Sequence, residues 1–288
     1  MTSAWTSEEE WLAGGQRAQL PKLGRSVFYR LDGPEGAPAL TLLHGFPTSS
    51  HDWCLVLGAL AEGRRLLSFD FLGFGDSDKP HSHRYSIVEQ ADLVEELWKH
   101  CQVDPGGALV AHDYGVSVAQ ELLARGIRPE RVGWLNGGVY PELHRATEGQ
   151  LLLAGPDGEA LARSLTPEVL AVALRELLGR PIGDEVAADL GAAAARREGL
   201  QNMHRLLGYI QERRANEERW VGALESASCP LRFVWGMLDP VSGEHMLARV
   251  RERLPSAELV ELEDVGHYPQ LEAPEEVAAA LGAFLDGR

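Results

Sequence analysis

An apolar run at residues 109–119 constrains the fold of this chain more than any other stretch. The run breaks at His112 and Asp113 and resumes as small residues with helical spacing, so it predicts a buried strand, a sharp turn and a helix. Such a turn lifts one side chain off the carboxyl end of the strand. That side chain is Asp113, and no G-x-S-x-G sequence occurs in the chain. We therefore expect any chemistry here to use a carboxylate nucleophile and an alkyl-enzyme ester.

Strand and helix patterns alternate along most of the chain. Apolar or alternating runs predict strands at residues 26–31, 39–43, 66–70, 108–111, 131–136, 231–236 and 257–262. Helical spacing predicts helices at residues 52–61, 86–100, 242–254 and 274–285, and Ser86 with Glu89 forms a predicted capping box. This alternation favours a mostly parallel sheet with helices on both faces.

Residues 140–219 have a different composition. Ala, Leu, Arg and Glu recur there with helical spacing, and no strand-like run interrupts them. We expect a helical insertion at 140–219, carried by a core domain that comprises residues 1–139 and 220–288.

The charge balance restricts the partners of the protein. With 43 acidic and 27 basic residues the formal net charge is −16, which would repel nucleic acid and anionic membrane surfaces. The N-terminus lacks the pattern of a signal peptide, and no apolar stretch approaches the ~20 residues that span a bilayer. Three well-separated cysteines, Cys54, Cys101 and Cys229, fit a reducing compartment. We expect a cytoplasmic protein, monomeric or homodimeric, without nucleic acid or membrane insertion.

Two motifs superficially suggest a cofactor or a metal. The loop at residues 73–78 lacks the third glycine of a dinucleotide fingerprint, and no helix opens directly after it. His81 and His83 lie in a loop that offers no other matched ligands, so we interpret it as solvated. We expect neither a metal nor a cofactor.

Three loops that follow predicted strands carry unusual polar residues. These are Asp113, Asp239 and His267. Because reacting groups converge at the carboxyl ends of parallel strands, we expect the three side chains to meet. Their order along the chain is nucleophile, acid, histidine, the order used by Ser-His-Asp enzymes of this type of sheet. His267 would then accept a proton from water while Asp239 fixes its tautomer.

A second element, residues 44–47 (HGFP), ends the strand at 39–43. The backbone N–H groups of Phe46 and Tyr114 are predicted to form an oxyanion hole, and a cis bond before Pro47 is possible. His44 and His112 fit packed structural histidines better than acid–base groups. Trp53, Trp98 and Trp134 fit the core or the interface with the insertion better than a substrate wall.

Four motifs, 44–47 (HGFP), 70–80 (DFLGFGDSDKP), 112–115 (HDYG) and 266–267 (GH), resemble the epoxide hydrolase and haloalkane dehalogenase branch of the α/β-hydrolases. Further stretches are 44–53 (HGFPTSSHDW), 86–90 (SIVEQ), 136–142 (NGGVYPE), 220–224 (WVGAL) and 267–272 (HYPQLE). On these the chain is most similar, within that branch, to the mesoderm-specific transcript protein family, from about residue 20 onward.

The resemblance implies an eight-stranded, mostly parallel sheet with a helical cap inserted after the sixth strand. It also implies that Asp113 opens an epoxide or displaces a leaving group, that His267 activates water and that Asp239 supports His267. Epoxide hydrolases use a pair of cap tyrosines as the ring-opening acid. Tyr209 matches one of them, no second tyrosine is evident, and Tyr140 and His44 are the other substrate-binding or acid candidates, with His144 and His204 as substitutes.

Dehalogenases of this branch bind halide with a Trp after the nucleophile and a polar residue after His-Gly. Tyr114 and Phe46 occupy those positions here. We therefore expect a cofactor-independent epoxide hydrolase that converts small apolar epoxides to diols with water. The alternatives are an ester or haloalkane hydrolase of the same fold, or a non-catalytic ligand-binding or interaction protein that kept it.

Overall fold

A single eight-stranded sheet organises the computed structural model, which describes residues 4–288. The strands are β1 (Gln16–Leu20), β2 (Arg25–Asp32), β3 (Ala39–Leu43), β4 (Arg65–Phe69), β5 (Ala108–His112), β6 (Val132–Leu135), β7 (Leu231–Gly236) and β8 (Glu258–Leu262). Their order is β1-β2-β4-β3-β5-β6-β7-β8, and only the β1–β2 and β2–β4 pairs are antiparallel. The predicted mostly parallel sheet is confirmed.

Helices cover both faces of the sheet. Outside the insertion they are α1 (Glu8–Ala13), α2 (Cys54–Ala61), α3 (Ile87–Cys101), α4 (Tyr114–Ala124), α12 (Glu244–Arg253), α13 (Pro269–Glu272) and α14 (Pro274–Leu285). Between β6 and β7 lie α5 (Glu148–Leu153), α6 (Gly158–Ser164), α7 (Pro167–Arg175), α8 (Asp184–Ala195), α9 (Met203–Leu206), α10 (Gly208–Ala215) and α11 (Glu217–Glu225). Short 3-10 turns occur at Ser50–Trp53, Pro141–Leu143 and Arg196–Asn202.

The helical insertion follows the sixth strand, as expected, and the described chain has no strand between β6 and β7. The expected border between residues 219 and 220 falls inside α11, which packs along α4 of the core. Trp220 explains this docking, because its Nε1 donates to Glu121 Oε2 on α4 at 2.7 Å and its side chain is fully buried. The last helix of the insertion is thus fixed to the helix that follows β5.

The central strands are apolar because both of their faces are covered. All residues of β5 and β6 are buried, which is the pattern of strands between two helical layers. Trp53, Trp98 and Trp134 are all buried, as predicted, and Trp98 donates to Thr41 Oγ1 at 2.8 Å. The parallel strands therefore present their carboxyl ends together at the edge where β6 leads into the insertion.

The predicted capping box of α3 forms only in part. Ser86 Oγ accepts the Glu89 N–H at 3.1 Å, but the Glu89 carboxylate contacts His83 Nε2 at 2.8 Å rather than the Ser86 backbone. His83 is accordingly only partly exposed, with 24% of its side chain accessible, whereas His81 in the same loop is 70% exposed, in agreement with a solvated loop. The helices of residues 4–288 are all too short or too polar to cross a lipid bilayer.

Candidate active site

Asp113 occupies a strained turn between β5 and α4. Its φ is +43° and its ψ is −101°, a conformation that an L-residue adopts only when its surroundings hold it. Asp113 N donates to Asn136 O at 2.9 Å, and Gly115 N donates to His44 O at 3.0 Å. A Cβ on Gly115 would overlap the Leu43 carbonyl oxygen, so the turn requires a glycine there. The predicted strand, sharp turn and helix are confirmed.

The Asp113 carboxylate lies against the loop that follows β3. Phe46 N donates to Asp113 Oδ2 at 3.0 Å, and the Phe46-Pro47 peptide bond is cis. The N–H of Tyr114 belongs to the first turn of α4, where backbone donors have no acceptor within the helix. The Tyr114 ring is buried against Phe71 and Phe74, with ring centroids 5.5 and 5.1 Å away. The backbone beside Asp113 thus offers donors while the Tyr114 ring turns into the core.

His267 joins the two acidic residues. Its Nδ1 lies 2.8 Å from Asp239 Oδ2, and its Nε2 lies 4.0 Å from Asp113 Oδ2. Asp239 is held in turn, because Oδ2 accepts from Asn136 Nδ2 at 3.0 Å and from Ser242 Oγ at 2.7 Å. The structure therefore brings together the three side chains that the sequence places on three distant loops.

The charges of these groups depend on one another. Burial lowers the pKa of His267, but Asp239 and then Asp113 outweigh burial and raise it to about 9. Burial raises the pKa of Asp113, yet His267 and Arg213 together bring it below its ordinary value. Burial likewise opposes ionisation of Asp239, and His267 holds the pKa of that carboxyl well below its usual range. At neutral pH the resting site contains two carboxylates and an imidazolium.

His112 and His44 each complete a backbone network. His112 Nε2 lies 2.7 Å from His267 O, and His112 Nδ1 lies 3.1 Å from Gln270 Nε2. His112 therefore donates through Nε2 and accepts through Nδ1. His44 Nδ1 lies 2.8 Å from Gly45 O, and its Nε2 accepts the Phe71 N–H at 3.0 Å. With both ring nitrogens engaged in backbone contacts, His44 is not available as an acid for a substrate, which corrects its place among the acid candidates.

A cavity of about 420 Å³ opens beside the carboxylate. Asp113, His267, Phe46, Pro47 and Val241 line its inner end. The insertion supplies the remaining wall, which is mainly aliphatic and includes Leu153, Leu161, Leu170, Leu174, Leu177 and Met203. Its polar members are Thr147, Glu148, Gln150 and Glu176. A mainly aliphatic cavity that reaches a carboxylate and a histidine fits a largely apolar ligand with a reactive group at that end.

The two candidate tyrosines are placed differently. Tyr209 is 1% exposed, its hydroxyl has no hydrogen-bond partner within residues 4–288, and its ring lies 5.9 Å from that of Phe46. The Tyr140 hydroxyl instead donates to Glu225 Oε1 at 3.3 Å. Neither tyrosine is among the residues that line the cavity. Tyr209 packs against the rings of Phe46 and Tyr114 beside the nucleophile turn, whereas the Tyr140 hydroxyl is directed to α11.

The two substitute histidines also separate. His144 is buried, and neither of its ring nitrogens has a partner in the described chain. His204 lies against α6. A Cβ atom added to Gly158 of that helix would be 3.3 Å from the Cβ of His204. The described residues contain no group of three His, Cys, Asp or Glu side chains that could hold a metal ion.

Arg213 is the residue at this site that sequence reasoning missed. Its side chain is 1% exposed, Nη2 donates to Asp113 O at 2.8 Å, and Nε donates to Ser117 Oγ at 2.6 Å. The available indication was spacing, because Tyr209 and Arg213 are four residues apart and share one face of α10. Asn136 also belongs to this site, because its carbonyl oxygen accepts the Asp113 N–H and its side-chain amide donates to Asp239.

Known proteins resemble this chain in sequence and in fold. A sequence profile of the alpha/beta hydrolase family matches residues 42–280. The protein LipZ of Mycobacterium tuberculosis is 38% identical over 289 residues, covering 97% of this chain and 99% of LipZ. The mesoderm-specific transcript homolog protein of Bos taurus is 40% identical over 282 residues, covering 91% of this chain and 84% of that protein. A loop variant of haloalkane dehalogenase DbeA from Bradyrhizobium elkanii has a similar fold, with a TM-score of 0.80 at 22% identity over 95% of this chain and 96% of that one.

Proposed function

The chain belongs to the alpha/beta hydrolase family, and we propose that within it the protein is an epoxide hydrolase whose nucleophile is Asp113. One arrangement carries the proposal. A carboxylate, not a hydroxyl, occupies the strained turn, and it faces a histidine that a second carboxylate orients. A carboxylate nucleophile forms an ester with the carbon that it attacks, which suits epoxides.

In the first step, Asp113 Oδ1 attacks a ring carbon and the carbon–oxygen bond of the epoxide breaks. The Phe46 N–H holds the other carboxylate oxygen, Oδ2, at 3.0 Å. Tyr209 is the acid that protonates the departing oxygen, because its buried hydroxyl has no partner in the described chain and its ring packs beside Phe46. The product of this step is an ester on Asp113 that carries the new hydroxyl group.

In the second step, water hydrolyses the ester. Ester formation removes the charge of Asp113, which is one of the three carboxylates, with Asp239 and Glu272, that raise the pKa of His267. His267 can then release its proton and act as the base that activates water, with Asp239 still bound to Nδ1. The negative oxygen that forms on Oδ2 is stabilised by the Phe46 and Tyr114 N–H groups. Loss of the Asp113 charge therefore lowers the pKa of His267 and favours its neutral, basic form once the ester has formed.

The cavity supports a small apolar epoxide. Its aliphatic wall comes mainly from the insertion, and we propose that residues 140–219, with the remainder of α11, act as a cap over the sheet edge. A haloalkane would need polar groups for the leaving halide. Tyr114 and Phe46 occupy the two halide-binding positions. The Tyr114 ring is buried in the core and Phe46 is apolar, so neither side chain offers the halide-binding group that dehalogenases have there.

Product analysis in labelled water tests this proposal. We expect terminal alkyl epoxides to be converted to diols, while matched esters and bromoalkanes are converted slowly or not at all. In a single turnover in H₂¹⁸O with enzyme in excess, the diol should be unlabelled and the label should appear in the Asp113 peptide, because water attacks the ester carbonyl. Label in the diol would contradict a covalent intermediate. Ligand binding that survives Asp113→Ala, with no turnover of any electrophile, would favour a non-catalytic binding protein.

A further inference from the structure

Arg213 is a buried cation with unused hydrogen-bonding capacity beside the nucleophile. Its Nη1 has no hydrogen-bond partner among residues 4–288, although the side chain is 1% exposed. A Cβ on Gly138 would lie 2.6 Å from Nη1, so the chain has a glycine where the guanidinium needs room. Buried charges and donors that lack partners are costly, and in native sites they often await a ligand.

The guanidinium contacts both groups that change charge during ring opening. Nη2 lies 3.6 Å from Asp113 Oδ1, the atom that would attack the epoxide. The guanidinium carbon lies 4.5 Å from the centroid of the Tyr209 ring. Tyr209 and Arg213 lie on the same face of α10, one turn apart.

From these contacts we propose that Arg213 is the partner of Tyr209 in epoxide opening, stabilising the negative charge that moves from Asp113 to the substrate oxygen and Tyr209. This inference rests on the proposed function. Before the step, the positive charge of Arg213 faces the Asp113 carboxylate. When Oδ1 bonds to carbon, the negative charge of Asp113 is lost. An equal negative charge forms on the oxygen of the opened ring, and this oxygen takes the proton of Tyr209 and leaves a tyrosinate. Arg213 thus faces one anion before the step and one anion after it.

Protons are conserved over the two steps. Tyr209 gives one proton to the ring oxygen, and His267 releases one when the Asp113 charge disappears, which restores Tyr209 through solvent. In hydrolysis one proton of water goes to His267 and the other goes to the alkoxide oxygen that leaves the ester, which returns the Asp113 carboxylate. The net reaction is epoxide plus water to diol.

Arg213 is the cation that packs against the ring of Tyr209. Burial raises the pKa of Tyr209 and the Asp113 charge raises it further, so a tyrosinate at this position requires a positive partner; Arg213 shifts the pKa in the opposite direction. Burial, and then Arg213, lower the pKa of His144 to about 4, so His144 is neutral at pH 7. A second tyrosine is not required if a guanidinium stabilises the first one.

Single-turnover ester formation in a His267→Gln background tests the inference, because hydrolysis is then blocked and only the first step is measured. We expect Arg213→Met and Tyr209→Phe each to slow ester formation about 100-fold. The double variant should be slowed far less than the product of the two losses, because the residues act as a unit. Arg213→Lys should retain part of the rate because it keeps the positive charge.

Arg64→Met provides the matched control, because Arg64 is also buried but its guanidinium binds Asp286 and the Leu60 carbonyl, far along the chain from the site. It should form the ester at the unchanged rate. Losses at Arg213 and Tyr209 that multiply in the double variant, or an Arg213→Lys rate equal to that of Arg213→Met in a protein with unchanged circular dichroism, would overturn the inference. Absence of any ester when Arg213 and Tyr209 are intact would instead contradict the proposed function itself.

Discussion

Glu272 on α13 accepts the backbone N–H of Gly179, in the insertion, at 2.7 Å. The same oxygen accepts the N–H groups of Arg180 at 2.9 Å and Gly266 at 2.7 Å. The insertion is therefore attached directly to the loop that carries His267, whose own N–H donates to Leu177 O at 2.9 Å. One carboxylate couples the proposed cap to the proposed base.

Glu272→Gln should weaken this attachment. A neutral amide accepts more weakly, and its NH₂ group would face backbone donors, so we expect a loss of about 1–3 kcal/mol in the free energy of unfolding. The kcat for epoxides should also fall, because the loop that carries His267 is then held less firmly. Urea denaturation and steady-state kinetics measure the two effects. Glu275→Gln, at an exposed position in α14, should change the free energy of unfolding by less than about 0.5 kcal/mol, and equal effects at both positions would contradict this role.

The stability of the protein should depend on pH through His267. Its pKa is raised from 6.5 to about 9 in the folded state, so the folded protein binds this proton more tightly than the unfolded chain. The stabilisation is complete below pH 6.5 and is lost as the pH rises through about 9. At about 1.4 kcal/mol per pKa unit, the loss should be about 2–4 kcal/mol.

Urea denaturation of the wild type and of His267→Gln across that range isolates this contribution. The difference in unfolding free energy between the two proteins should shrink from pH 6.5 to pH 9. A difference that stays constant would mean that the folded protein holds the His267 proton no more tightly than the unfolded chain does.

Gly115→Ala should distort the turn that carries Asp113. The added Cβ would overlap the Leu43 carbonyl oxygen, so the backbone must shift, and we expect a cost of about 1–3 kcal/mol together with a large loss of kcat. Gly222→Ala is the matched control. A Cβ at Gly222 meets nothing within 4 Å and lies inside α11, so it should stabilise the protein by about 0.5–1 kcal/mol. Thermal unfolding distinguishes the two variants, and a Gly115→Ala protein with normal stability and kcat would contradict the packing argument.

The sequence was informative where local pattern determines structure. The break at His112 and Asp113 predicts a strand, turn and helix because apolar spacing changes there from that of a strand to that of a helix. Asp239 and His267 could be grouped with Asp113 because the carboxyl ends of parallel strands share one edge. Each of these inferences needs only periodicity and topology.

The sequence was uninformative where distant packing decides the direction of a side chain. Tyr140 was a plausible acid, but its hydroxyl is bound by Glu225, which lies 85 residues further along the chain. Arg213 lies in a helix rich in charged residues, which is typical of a solvated helix face. Its burial depends on how α10 packs over the Asp113 turn. Neither outcome follows from local propensity, because both depend on where the insertion rests on the sheet edge.

Intact mass spectrometry of His267→Gln after incubation with a terminal alkyl epoxide tests whether Asp113 is the nucleophile. We expect the protein to gain the mass of one epoxide and peptide mapping to place the adduct on Asp113, because the ester forms but no base hydrolyses it. Asp113→Asn in the same background should gain nothing. Diol formation with no adduct, or an adduct at another residue, would contradict Asp113 as the nucleophile.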